Sequence, residues 1–125
     1  MSHFTTIKTQ IKDLAALGSA LTEMGLSMAA NSEARGYLNN KLKGDYVIQL
    51  QGPYDLALQI QPNGSYALVA DWYQGHVEKE VGKNCSKLLQ LYGVHKTMRE
   101  ARQKGYSVQR SNQSNGAIKL VVLGA

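Results

Sequence analysis

Residues 46–73, YVIQLQGPYDLALQIQPNGSYALVADWY, carry the pattern that decides the fold. They read as three antiparallel strands, 46–51, 55–61 and 66–73, divided by two turn signals. Gly52-Pro53 closes the first hairpin. Asn63-Gly64, a dipeptide suited to the positive φ angles of a type I′ turn, closes the second. A two-residue Asn-Gly loop pairs Pro62 with Ser65, Ile60 with Ala67, Leu58 with Val69 and Leu56 with Asp71, and the Gly-Pro loop pairs Val47 with Leu58. Alternation then gathers Val47, Leu56, Leu58, Ile60, Ala67 and Val69 on a core face, with Gln49 and Asp71 at its margin. The opposite face holds Tyr46, Ile48, Leu50, Ala57, Leu68, Ala70 and Trp72, diluted by Asp55, Gln59, Gln61 and Tyr66. It is too apolar to stand in water, so the chain or a partner must cover it.

Upstream of this meander, residues 3–8 alternate weakly and read as a short strand. Thr9 stands where an N-cap belongs, and Ile11, Leu14, Leu17, Leu21 and Met24 follow at helical spacing, so a helix is expected over 10–24 with Gly25 as its stop. Residues 26–30 suit a second strand. From Asn31 to Asp45 the pattern collapses into a polar stretch, with a short strand near 35–38 and a mobile loop after it. Downstream, Gln74-Gly75 breaks the third strand. Val77, Val81, Cys85, Leu88 and Leu91 or Tyr92 then mark a helical face that runs on to Gly105, as two helices with a bend at Gly93 or one long kinked helix. Strands over 106–110 and 117–123, joined by a polar loop, close the chain as a hairpin. The expectation is one domain over 1–125 of α+β class: a mostly antiparallel sheet with helices packed on one face, ferredoxin-like with extra strands.

Composition sets further bounds. With 125 residues, 43% hydrophobic and 18% charged, the chain is long enough for a sizeable core and is not disordered. Its single cysteine, Cys85, leaves no intramolecular disulfide or multi-cysteine metal site. The opening lacks a signal-peptide pattern and no apolar run approaches 18 residues, which points to the cytoplasm. Net charge is +5, concentrated between His95 and Arg110, where Lys96, Arg99, Arg102, Lys104 and Arg110 face Glu100 alone. Such a patch serves phosphate or an acidic protein surface; its blander meaning is the solvated side of a helix.

The candidate chemistry is thin. Arg35-Gly36-Tyr37 opens like an RNA-recognition fingerprint, but Asn39 and Lys41 stand where base-stacking aromatics are needed. His3, His76 and His95 lack metal-ligand spacing. Asp71 and His76 at a strand end suit an acid–base pair, against the commoner role of such an aspartate as a cap of the following turn. Cys85, at an apolar helical position, reads as core. Tyr92 and His95 fall one helical turn apart and share a face. No metal and no cofactor is expected.

Taken together, 2–14 (SHFTTIKTQIKDL), Arg35-Gly36-Tyr37, Tyr54-Asp55-Leu56, 66–72, Tyr92-x-x-His95 and 118–122 resemble the conserved hypothetical chloroplast reading frame thirty-five family. That resemblance implies a domain of unknown function found in cyanobacteria, algal plastids and cyanophages, and hence a cyanobacterial cytosol, a plastid stroma or a phage-encoded copy. It implies no mechanism. The residues themselves favour a non-enzymatic binding or regulatory module that docks on a protein, or on a second copy, through Tyr46, Tyr66, Trp72, Tyr92, His95, Lys96, Arg99 and Arg102. A nucleic-acid-binding module using the same groups stands second, and an enzyme third.

Overall fold

The computed structural model describes residues 3–124; Ser2, which belongs to the opening block quoted above, lies outside the described residues. Five strands, β1 (Phe4–Ile7), β2 (Ser27–Arg35), β3 (Lys41–Gln49), β4 (Leu56–Ile60) and β5 (Tyr66–Asp71), form a sheet of order β1-β5-β4-β3-β2. Every neighbouring pair is antiparallel. The helix α1 (Leu14–Glu23) lies between β1 and β2, α2 (Glu78–Val81) and α3 (Ser86–Gln103) follow β5, and β6 (Ser107–Asn112) with β7 (Ile118–Leu123) forms a separate hairpin. The α+β class holds: Ile48, Leu50, Leu56, Leu58 and Leu68 of the sheet share one core cluster with Leu17 and Leu21 of α1 and with Val81 and Leu88.

The register within the meander is one residue away from the expected one. Leu58 pairs with Leu68 and Ala57 with Val69, and on the other side Val47 pairs with Ala57. The cause is Pro62. A two-residue loop needs a closing N–H at position 62, which proline lacks. The turn therefore starts at Gln61, whose N–H donates to Ser65 O at 2.8 Å, while Gly64 N–H donates to Gln61 O at 2.9 Å. Gly64 takes φ +86 and Asn63 stays out of the left-handed region. This is a type I turn with a glycine bulge rather than type I′. Because strand side chains alternate, the slip exchanges faces. Tyr46, Ile48, Leu56, Leu58, Leu68 and Ala70 lie under the helices, and Val47, Ala57 and Val69 lie on the other face.

That second face is covered from within. The stretch expected to be a loop is an arm, the long β2–β3 hairpin. Its ladder breaks once, where Asn31 (φ 50) stands opposite Asp45, and the alternation inverts across the break. Met28 and Tyr46 pack with the helix-side cluster, whereas Ala34 and Leu42 pack with Val47, Ala57, Val69 and Phe4. The bend requires Gly44, since a Cβ there would sit 2.6 Å from Tyr46 O and 3.1 Å from Ala57 Cβ. The arm's small and polar composition follows from its position, with one thin side buried and the other in solvent.

The helices also start and bend elsewhere than expected. α1 begins at Leu14, capped by Asp13, whose Oδ1 accepts the Ala16 N–H at 3.0 Å. Thr9 instead shapes the approach: its hydroxyl donates to Tyr66 O at 2.6 Å and accepts the Ile11 N–H at 3.0 Å. α3 runs unbroken through Gly93; the break falls before it, at Gly82, Asn84 and Cys85, all at positive φ.

Candidate functional site

The end of β2, the loop between β3 and β4 and the end of β5 converge at one place. Two buried carboxylates, Asp55 (3% exposed) and Asp71 (1%), organise it. Asp55 Oδ2 accepts Arg35 Nε at 2.8 Å and Oδ1 accepts Arg35 Nη2 at 2.8 Å, a bidentate pair. Asp55 also accepts the backbone N–H groups of Arg35 and Leu50 at 3.0 and 3.2 Å. Burial alone would raise its pKa, but these donors outweigh burial and hold it below the usual carboxylate range. Arg35 Nη2 reaches on to Leu50 O at 3.3 Å and Gly52 O at 2.9 Å, and Glu80 of α2 accepts the N–H groups of Gln51 and Gly52 at 2.6 and 3.0 Å. The loop is thus held by its own Asp55, which spans from Leu50 to Arg35, and by Arg35 and Glu80 from outside it.

Asp71 performs the corresponding task one strand away. Its carboxylate accepts the Tyr37 and Tyr73 N–H groups, each at 3.0 Å, which includes the turn bond expected of it and adds one to the arm. Around it Tyr37 and Tyr73 meet edge to face at 4.7 Å, and Tyr54 meets His76 at 5.1 Å. Lost hydration, then the charge of Asp71, raises the Tyr54 pKa. Gly36 lies flat against β1: a Cβ there would stand 2.6 Å from Phe4 Cζ. Outside this hub opens a recess of about 420 Å3 lined by Arg35, Gly36, Asn39, Asn40, Lys41 and Pro53.

The eight residues expected on a partner surface do not form one site. Tyr46 and Tyr66 meet each other edge to face at 6.1 Å on the helix side of the sheet, and Trp72, half-buried, lies beyond the opposite end of β5. Tyr92, His95 and Arg99 of α3 reach α1 or its cap. Tyr92 Oη accepts the N–H groups of Lys12 and Asp13 at 3.1 Å each, His95 Nε2 lies 2.8 Å from Glu23 Oε1, and Arg99 Nε lies 3.8 Å from Asp13 Oδ2. Lys96 pairs with Glu100 on α3 itself. Arg102 is exposed. Arg110 adds a bidentate pair on Glu23, 2.8 Å for each bond, and its hydrogen bond leads the interactions that hold the Glu23 pKa down to about 2. Much of the basic patch is therefore spent on internal acids.

Nothing local in the sequence brings Arg35, Gly36, Tyr37, Tyr54 and Asp55 together, since Arg35 and Asp55 are twenty residues apart and the arm that joins them has the composition of a loop. Cys85 is buried core, its thiol pushed up to about 12 by burial. Among the described residues no cluster of histidine, cysteine and carboxylate side chains has metal-binding geometry, and no helix is long and apolar enough to cross a membrane.

Fold and hub define a small α+β protein whose buried ionic groups fasten a folded-back hairpin arm to an antiparallel sheet. The chain belongs to the family described as Protein of unknown function (DUF1257), whose model matches residues 20–121. It is 34% identical over 124 residues to "Uncharacterized protein ycf35" of Pyropia yezoensis, covering 98% of this chain and 96% of that relative. It is 29% identical over 124 residues, with the same coverage, to the protein of the same title in Guillardia theta. These matches bear out the resemblance to the chloroplast reading frame family. No solved structure matches the chain.

Proposed function

We propose that the protein is a small non-enzymatic binding module that docks on a protein partner. One observation carries the reading. Among the described residues five large apolar side chains are exposed, and three of them, Tyr106 (41%), Val122 (45%) and Leu123 (43%), lie at the open end of the β6–β7 hairpin, where strand alternation sets Val122 and Leu123 on opposite faces. The register places them there, since Val108 pairs with Val122 and Ser107 with Leu123, directly after the end of α3. Arg102 and Lys104, at the end of α3 shortly before Tyr106, are exposed and in no ion pair among the described residues. An apolar anchor beside uncompensated cations suits an acidic protein surface with an apolar recess. The titratable groups considered for chemistry support the same reading. Asp71 is engaged with backbone amides, His95 with Glu23, and the Cys85 thiol is shut in the core.

The test is capture from nuclease-treated lysate of the source cells by the wild-type protein, Val122→Lys and Arg102→Glu. The expected result is one nuclease-resistant partner that both variants lose. A partner kept by both, or one that disappears with nuclease, overturns the reading. Nucleic acid stands second, and the same patch limits it: two free cations imply a log–log salt slope of only about −2 on duplex DNA.

A further inference from the structure

The recess at the arm's tip is lined by two cationic side chains, Arg35, which is paired with buried Asp55, and Lys41. Arg35 and Lys41 stand directly opposite one another on neighbouring strands, an arrangement that costs stability when the charges are alike. Lys41 has no acidic partner among the described residues, and no acidic side chain lines the recess. Arg35 is held in one pose. Its Nε and Nη2 face inward on Asp55, Leu50 O and Gly52 O, while Nη1 makes no hydrogen bond among the described residues and the side chain is 49% exposed. Asn39 and Asn40 complete the lining, and their carboxamides make no hydrogen bond among the described residues.

The geometry points to a binding site for the phosphate monoester of a small molecule. A carboxylate is best taken by the two-pronged edge of a guanidinium, and Asp55 already occupies that edge. What remains are single donors on separate residues: Arg35 Nη1, the Lys41 ammonium and two amides. These suit a tetrahedral group with three terminal oxygens and close to two negative charges. The volume of about 420 Å3 holds a phosphate with a compact body attached. No aromatic side chain lines the recess, so a nucleobase has nothing to stack on; a sugar phosphate fits the lining better than a nucleotide. The site shares no residue with the apolar patch of the β6–β7 hairpin, so the two readings stand or fall separately.

Titration calorimetry at low salt tests it, with glucose 6-phosphate, inorganic phosphate, AMP and succinate as probes on the wild-type protein and on Lys41→Glu. That variant places opposite charges across the strands, so it should fold at least as well as the wild type. The expected result is saturable binding of the sugar phosphate, about tenfold weaker binding of succinate, and loss of about tenfold or more in Lys41→Glu. Equal binding of phosphate and succinate reduces the site to a general cationic patch and overturns the inference. So does equal binding by wild type and variant, AMP held more tightly than the sugar phosphate, or no heat in the millimolar range. Capture on phosphatidic acid vesicles without any response to the soluble monoester overturns it in favour of a membrane surface.

Discussion

Two hairpins of this protein are closed by the same turn and meet opposite fates. Between β4 and β5 the turn is Gln61-Pro62-Asn63-Gly64-Ser65; between β6 and β7 it is Gln113-Ser114-Asn115-Gly116-Ala117. In both, the glutamine N–H donates to the last residue's carbonyl at 2.8 Å. In both, the glycine takes a positive φ, +86 and +88, and the asparagine Oδ1 accepts the last residue's N–H at 3.0 Å. Yet every residue of β5 is buried, and none of β6 or β7 is. Turn chemistry therefore sets register and nothing more. Whether a hairpin becomes core depends on what its flanks meet: the first lies between two further strands beneath three helices, the second has its own partner, one side of α3 and the Arg110–Glu23 pair to the end of α1.

Cavity formation should break the comparison most visibly. Leu58 is fully buried, so Leu58→Ala should cost about 3–4 kcal/mol, while Leu120→Ala, half-exposed on β7, should cost about 1 kcal/mol or less. Urea midpoints at unchanged slope check both. A similar loss for the two would mean that the hairpin folds as part of the core. Next in size is the ionic hub. Arg35→Ala leaves Asp55 buried without its charge partner and should cost about 3 kcal/mol, below the largest values for buried pairs because two backbone amides stay on the carboxylate. Asp71→Ala should cost about 2 kcal/mol, one unmet amide on each side of the arm contact. If Arg35→Ala proved the milder of the two, the arm would be held chiefly through the Tyr37–Asp71 contact rather than through the Arg35–Asp55 pair.

These contrasts also show why some features could be read from the sequence and others could not. Alternation and turn residues act locally, so the three meander strands, the last hairpin and the apolar stripe of α1 were legible. Register was not, because the N–H that Pro62 lacks outweighed a strong Asn-Gly signal. The arm was not, because Ala34 and Leu42 bury one narrow side and leave no periodic apolar pattern over residues 31–45. The site was least legible. Arg35 and Asp55 depend on that arm, and Tyr92, His95 and Arg99, which look available on a helical wheel, are used against α1 or its cap.

Acid should separate the two hairpins further. Glu23 joins α1 to β6 through Arg110, with His95 beside it. Its folded pKa, about 2, lies below the ordinary 4.5, so its contribution is complete above about pH 4.5 and is lost as pH falls from there toward 2. The pair is partly open to solvent, which limits the contribution to roughly 1 kcal/mol. Amide exchange in β6 and β7 should therefore accelerate between pH 4.5 and 2 by more than intrinsic exchange predicts, while β4 and β5 stay protected. Glu23→Gln should show the faster exchange already at pH 6. Uniform loss of protection across both hairpins would contradict this coupling.

The smallest effect tests the shared turn itself. Position 62 is proline and its counterpart, position 114, is serine. Since the two turns match in hydrogen bonds and in glycine φ, the backbone at 114 has the conformation that proline occupies at 62, and the Ser114 N–H takes no part in closing the turn. Ser114→Pro should then stabilise the hairpin by about 0.4–1 kcal/mol, by restricting the unfolded chain rather than by any new contact. The gain belongs to local opening, so it should appear as slower exchange of β6 and β7 amides with the urea midpoint nearly unchanged. Pro62→Ser should do the reverse in a different place: the β4–β5 hairpin opens only with the whole fold, so the loss should appear in the global midpoint. A global gain from Ser114→Pro would show that the hairpin unfolds together with the sheet, and a loss would show that the two turns differ at position 114.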